Sequence, residues 1–414
     1  MFWRTALLLA AILTSASAAE IDSAALLVRV RSKFLRSVKT IPRYVCRQNL
    51  ERQTFAPVRK PPKTCGTLSE AGFGDPAKSD AALALPAGKP GYVLIASDRA
   101  NLDVMVADGT ELFSWPGGGR FQTNNPDDLL GGGFAGNGDF ASFLTTVFAS
   151  GQTAFEYRGP CGATSCVRYS YDVPVAVSRY VIENPVEKVA TGYHGTFDVD
   201  SDSGDLLAAT VIPTDLSTKM KNICDVRTRM TYTRSSAEFT IPDTATKEYL
   251  DANGWYGSNW IQYTGCRQYS AASTLSFGDN APATSAAEGA KAAALPRSGT
   301  TLELRLATKL DTGLNTAGDP VEATLVRAVP AAGGRAIPAG TVIRGHLAQV
   351  ERTYVPKPAV KIVIRFDTIV SGGIPIPLAL SAAGKMDARG RGVFTFSRAR
   401  VMLDSQFVSR WRVR

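Results

Sequence analysis

Apolar and polar positions alternate with a period of two over much of this chain, and the helical exceptions are short. Leu27, Val30, Phe34 and Val38 recur at helical spacing behind Asp22 and Ser23, either of which suits an N-cap. A helix is therefore predicted up to about Val38, and Pro42 stops it. Tyr44 to Leu50 reads as extended, whereas residues 56–90, rich in Pro, Lys, Ala and Gly, read mostly as loop. Leu102, Val104 and Val106 alternate with Asp103 and Met105, Asp108-Gly109 supplies a turn needing positive φ, and Glu111 to Trp115 returns as a hairpin. Asp139 is placed to cap a helix over 140–149, with Phe140, Phe143, Leu144 and Val147 on one face and Gly151 as its stop. Strands and turns then continue to Phe277, most clearly from Asp225 to Thr233, with a brief helix expected after Asp243.

From Gly278 to Ser298 the composition falls to Ala, Gly, Ser and Thr, the signature of a linker. Beyond it, Leu302, Leu304 and Leu306 alternate with Glu303 and Arg305, and Val360, Ile362, Ile364 and Phe366 alternate with Lys361 and Arg365. Turn signals at Gly318-Asp319-Pro320, Gly333-Gly334, Pro338-Ala339-Gly340, Gly372-Gly373 and Gly390 divide this region into about eight strands. The expected fold class is mainly β with a few helices: an N-terminal antiparallel half-barrel with disulfides, then a small C-terminal all-β barrel or sandwich.

The N-terminus changes the setting. Arg4, the apolar run Thr5 to Leu13 and the small residues Ala16-Ser17-Ala18 form a secretory signal, with cleavage predicted before Ala19. That run is about half of the ~20 residues needed to cross a bilayer. The expected organisation is 1–18 signal peptide, 19–277 disulfide-stapled domain, 278–299 linker and 300–414 basic barrel, in a periplasmic or extracellular location. Cys46, Cys65, Cys161, Cys166, Cys224 and Cys266 all lie before the linker, and an even count in an exported chain reads as disulfides. Pairing of sequence neighbours is the expectation: Cys46 with Cys65, Cys161 with Cys166, Cys224 with Cys266. Charge divides as sharply. Residues 297–414 hold 18 Lys/Arg against 8 Asp/Glu, a net of +10, whereas residues 20–296 hold a net of −2.

Candidate chemistry is sparse. Asp198, Asp200 and Asp202 begin as a calcium loop begins, but glycine sits at the seventh position and Ala209 stands where a bidentate glutamate belongs. Gly117 to Gly119 and Gly131 to Gly133 lack the Lys-Ser/Thr that closes a phosphate loop. No Gly-x-Ser-x-Gly elbow is present, and His194 and His346 read as partly exposed strand residues. Phe113, Trp115, Trp255, Trp260, Tyr263 and Tyr269 suit core packing, or else an apolar ligand groove. Arg389, Arg391, Arg398, Arg400, Arg410, Arg412 and Arg414 are candidates for a patch that meets an anionic partner. No cofactor and no catalytic residue is expected.

Two family likenesses follow from motif order. Gly299-Thr300-Thr301-Leu302, Ala317 to Ala323, Ile337-Pro338-Ala339-Gly340-Thr341, Gly345 and a strand ending at Phe366 resemble the periplasmic β-barrel domain of TrbI-like proteins, components of type IV secretion and conjugation channels. The likeness implies a barrel; the membrane helix and helical insertion of channel members have no counterpart here. The N-terminal order of helix, Val106-to-Trp115 hairpin, helix near 140 and Asp200-to-Gly204 turn resembles LolA-like lipoprotein-carrier half-barrels, which implies an apolar cleft for lipid or lipoprotein. The whole chain is also similar to uncharacterised exported proteins of soil bacteria. The expected function is thus non-enzymatic: hydrophobic-ligand or partner binding by the first domain, and docking to an envelope protein or anionic surface by the second. A secreted hydrolase using paired carboxylates and a polyanion-binding module are the alternatives; nucleic acid is not an expected partner.

Overall fold

A computed structural model describes residues 22–40, 44–59, 66, 91–107, 110–118, 121–130, 138–139, 142–162, 165–184, 186–234, 240–268, 295–332, 334 and 336–414. The signal segment, most of residues 60–90, the Asp108-Gly109 turn and the linker up to residue 294 lie outside these.

The chain opens with α1 (Ser23–Thr40). The Asp22 carboxylate caps it, accepting the N–H groups of Ala24 and Ala25 at 3.1 and 3.0 Å. Leu26 and Val30 are its buried positions, and Phe34 meets Phe148 at 4.9 Å between ring centroids. β1 (Tyr44–Pro57), β2 (Tyr92–Ala107) and β3 (Thr110–Ser114) follow, then α2 (Asp127–Leu130) and α3 (Ser142–Ala149). Next come β4 (Ala154–Pro160), β5 (Cys166–Val173), the small hairpin β6 (Val181–Glu183) and β7 (Lys188–Ala190), β8 (Tyr193–Asp200) and β9 (Leu206–Pro213). The unit closes with α4 (Leu216–Lys219), β10 (Ile223–Arg234), β11 (Thr240–Asp251) and β12 (Tyr256–Gln268). Their order across the sheet is β4–β5–β8–β9–β10–β11–β12–β1–β2–β3, antiparallel throughout. This is the half-barrel. Its core takes Leu102, Val104, Phe113, Ile261 and Met230 from the strands and Leu26, Leu130, Leu144 and Phe148 from the helices.

Two expectations are corrected in this unit. Residues after Asp243 belong to β11, which ladders to both β10 and β12, and buried Ala245 and Lys247 alternate with less buried Thr244, Thr246 and Glu248 at strand rather than helix spacing. The Asp139 carboxylate turns into the core, where it meets Lys247 and Tyr263, and the first positions of the helix expected behind it, 140 and 141, lie outside the described residues. Cys46 bonds Cys266, not Cys65, because β1 and β12 are sheet neighbours although 220 residues separate the two cysteines. Cys224 is bonded to a partner outside the described residues, and Cys161–Cys166 is bonded as sequence spacing suggested.

The C-terminal strands are β13 (Thr301–Leu306), β14 (Leu310–Asp311), β15 (Pro320–Leu325), β16 (Val342–Thr353) and β17 (Ala359–Ser371). After them run β18 (Ile374–Pro377), β19 (Leu380–Ala382), β20 (Gly392–Phe396), β21 (Met402–Leu403) and β22 (Val408–Val413). β13 pairs with β15, β15 with β16, β16 with β17 and β17 with β18. The chain from β18 runs on into β19, which pairs with β22, and β22 returns to β13. That ring is a closed barrel with an apolar core that includes Leu302, Leu304, Ile343, Leu347, Ile362, Ile364, Phe366 and Trp411. Trp411 is fully buried, edge-on to Phe366 at 5.0 Å, a burial worth about 2–3 kcal/mol. Residues 295–299, read as the end of the linker, lie on this barrel: Pro296 bridges Ala331, and Leu295 packs on the core.

Candidate functional site

The half-barrel and barrel meet along a continuous seam. β16 is longer than the barrel wall requires: its first half pairs with β15, and its last residues pair with β2, matching Glu351 to Asp98, Arg352 to Ser97 and Thr353 to Ala96. A second strip of backbone bonds lies alongside, with Ala317 N–H donating to Arg99 at 2.9 Å and Asn101 N–H donating to Ala317 at 2.8 Å. Gly318 is required there. Its φ is +95°, and a Cβ would lie 2.5 Å from the Asn101 carbonyl oxygen. Ala317, Ala348 and Val363 of the C-terminal unit join the half-barrel's core, so the joint is apolar in the middle.

At one end of this seam is a cavity of about 220 Å³. Trp115, Gln122, Thr123, Asp128 and Leu129 line it from the half-barrel, and His346, Arg365, Arg389 and Arg391 from the barrel's outer wall. The register explains the cluster: His346 stands opposite Arg365 across β16 and β17. The imidazole lies on Trp115, with centroids 4.7 Å apart and planes tilted by 37°. Burial, reinforced by the Arg365 and Arg391 charges, pushes the His346 pKa down to about 3, so the ring is neutral in any ordinary buffer. Its Nε2 is buried and has no hydrogen-bond partner among the described residues. Nδ1 lies 3.8 Å from Asp367, beyond hydrogen-bond reach. Burial raises the pKa of that carboxylate despite Arg365 nearby.

The three guanidinium groups differ. Arg391 is buried, paired with Asp387, and donates to the Leu129 carbonyl at 3.1 Å, so it locks barrel to half-barrel. Arg365 is half-exposed and 3.5 Å from Asp367. Arg389 is exposed, and no carboxylate pairs with it among the described residues. Among the described residues the only acid in the lining, Asp128, accepts a 2.6 Å hydrogen bond from the Thr123 hydroxyl. Planar donors beside an indole and a neutral imidazole form a surface for a carboxylate or phosphate group.

The arginines singled out in the sequence do not act alike. Arg389 and Arg391 reach the cavity, and Arg414 lies beside them against Gly390. Arg410 and Arg412 point outward on β22, Arg398 is exposed, and Arg400 is held by Asp311 on the barrel surface. His346 is a β16 residue of intermediate exposure, its side chain 13% exposed with the ring lying on Trp115. His194 is exposed on β8. Phe113 and Tyr263 fill the half-barrel core, Trp255 is exposed, and Tyr269 lies outside the described residues.

Two of the three candidate calcium ligands, Asp198 and Asp200, are engaged by the protein. Asp198 pairs with Arg168 through contacts of 2.6 and 2.7 Å. Asp200 organises the turn, accepting the Ser165 hydroxyl and the Ser203 and Asp202 N–H groups, which lower its pKa to about 2. Asp202 is exposed at the tip. Cys161, Cys166 and Asp198 also cluster, but both sulfurs are consumed by their disulfide. The pocket between α1 and α3, near Phe34 and Phe148, holds only about 20 Å³ because the helices fill the concave face. Among the described residues no helix is long and apolar enough to cross a membrane.

Sequence reasoning missed Trp115, Arg365 and His346 as one constellation. Each is separately visible, but they join only where β16 meets the half-barrel. Compared with models of protein families, with curated proteins and with solved structures, the chain finds no match.

Proposed function

We propose that this is an exported, non-catalytic envelope protein that binds an anionic group of a ligand or partner at the seam between its two units. One observation carries the reading: Arg389, a guanidinium with no carboxylate partner among the described residues, converges with Arg365, Arg391, Trp115 and an imidazole nitrogen that likewise has no partner among them on one cavity. The cavity is smaller than the ~300 Å³ at which drug-sized ligand sites begin, so it takes one carboxylate- or phosphate-bearing anchor. The +10 balance of residues 297–414 would steer such a partner towards it. The sequence resemblance to lipid carriers suggested an apolar cleft instead; side chains of α1 and α3 occupy that space, which favours the seam.

Thermal unfolding with succinate or inorganic phosphate tests the reading. A saturable rise in Tm, absent in Arg389→Ala and reduced by salt, is the expected result. Equal responses of wild type and variant, or no response to either probe, would remove the seam as the binding site.

A further inference from the structure

A cluster of ionisable groups lies inside the half-barrel, remote from solvent and unused by the seam. Lys247 and Asp139 each have side chains 3% exposed, and Lys247 Nζ lies 3.0 Å from Asp139 Oδ1. The contact lacks the alignment of a hydrogen bond, and Nζ has no hydrogen-bond partner among the described residues. The other carboxylate oxygen, Oδ2, accepts a 2.6 Å hydrogen bond from the Tyr263 hydroxyl, which in turn receives one from the Gln48 amide. Glu111 is buried on β3 and accepts the N–H of Gly138, the residue before Asp139, at 2.8 Å. The Tyr232 hydroxyl donates to the Asp139 backbone carbonyl at 3.3 Å, and burial, with the charges of Asp139 and Glu111, raises the pKa of both Tyr232 and Tyr263.

From this juxtaposition we infer that Lys247 and Asp139 are joined by an intramolecular isopeptide bond, with Glu111 carrying the protons. An amine and a carboxyl in contact, held by a sheet and shut away from water, are reactants at high effective molarity. The step balances without any co-reactant. The ammonium of Lys247 gives a proton to Glu111, and the neutral Nζ adds to Cγ of the Asp139 carboxyl. Tyr263 steadies the oxygen that becomes negative. Glu111 returns that proton to the departing Asp139 oxygen, which also takes the second proton shed by Nζ, so that one water leaves and Nζ–Cγ becomes an amide. Two buried charges disappear, so the desolvation cost of keeping an ion pair in the core goes with them. The bond would tie the segment entering α3 to the middle of the sheet, between residues 108 positions apart.

Peptide mapping of the full-length exported protein, reduced, alkylated and denatured, decides the matter. Trypsin is expected to leave peptide 121–158 joined to peptide 235–267, with Lys247 uncut and the combined mass short by one water. The Glu111→Gln protein should give the two peptides separately, with cleavage after Lys247. Free 121–158 from the wild-type protein, with cleavage at Lys247, overturns the bond. A linked species in Glu111→Gln overturns the role given to Glu111.

Discussion

Acid should strain the seam through one residue, and His346→Phe isolates it. In the unfolded chain this imidazole takes up a proton near pH 6.5; folded, buried under Trp115 and between two guanidinium groups, it does so only near pH 3. Between those values the unfolded state binds more protons, so stability is full above pH 6.5 and falls as the pH drops through the window. The loss approaches about 1.4 kcal/mol per pH unit, hence about 2 kcal/mol between neutral pH and about pH 5. Phenylalanine keeps the flat ring on Trp115 but cannot titrate. Urea unfolding of both proteins at about pH 7.5 and pH 5 gives four free energies, and the wild-type advantage should shrink by about 2 kcal/mol on acidification. Background carboxylates titrate in both and cancel. If the two proteins lose stability in parallel, the imidazole is not held neutral by this burial and the account of the cavity's electrostatics is wrong.

Asp387→Ala leaves the buried Arg391 guanidinium without its carboxylate and should cost about 3 kcal/mol, the low end for a broken buried pair because Asp387 keeps some contact with water; denaturant midpoints measure it. The two described disulfides close very different loops, 220 and 5 residues. Removing Cys46–Cys266 by double serine substitution should therefore cost about 5 kcal/mol, against about 2 for Cys161–Cys166, and equal losses would contradict the loop-entropy account. Gly318→Val forces a side chain onto the Asn101 carbonyl at positive φ, which should cost about 2 kcal/mol and loosen the seam. Faster proteolysis between the two units, with the barrel intact, is the expected readout.

The period-two pattern was enough for most of the fold. Leu302, Leu304 and Leu306 point into the barrel as β13, and the alternation from Val226 to Tyr232 holds in β10 because one face of each sheet is buried. Strand lengths were less legible. β2 starts at Tyr92, ten residues before the alternation that marked it, since its earlier part is covered by β1 on one side and by β16 on the other. The Cys46–Cys266 pair was invisible for the same reason: spacing along the chain says nothing about which strands become neighbours. Lys247 did leave a signal. It is in phase with Ala245 and Tyr249, so strand periodicity alone puts a lysine inside, and a charge at an inward position asks for a buried partner. Only the fold shows that Asp139 is that partner.

The seam converts two separately legible β units into a site neither has alone. A closed barrel has no free edge, yet the overlong β16 offers its last residues to β2, and backbone bonds set the register between the units. Side chains then use that register. Arg391 reaches across to Leu129, Trp115 reaches back over His346, and the space left between them is walled by both units. A cavity built from strand-borne residues on a shared sheet is preformed, so an anion entering it need not order a loop. The same arrangement makes the site sensitive to the joint. Any ligand held by Arg389 and the half-barrel wall binds only the closed form, and its binding energy adds directly to the stability of the seam.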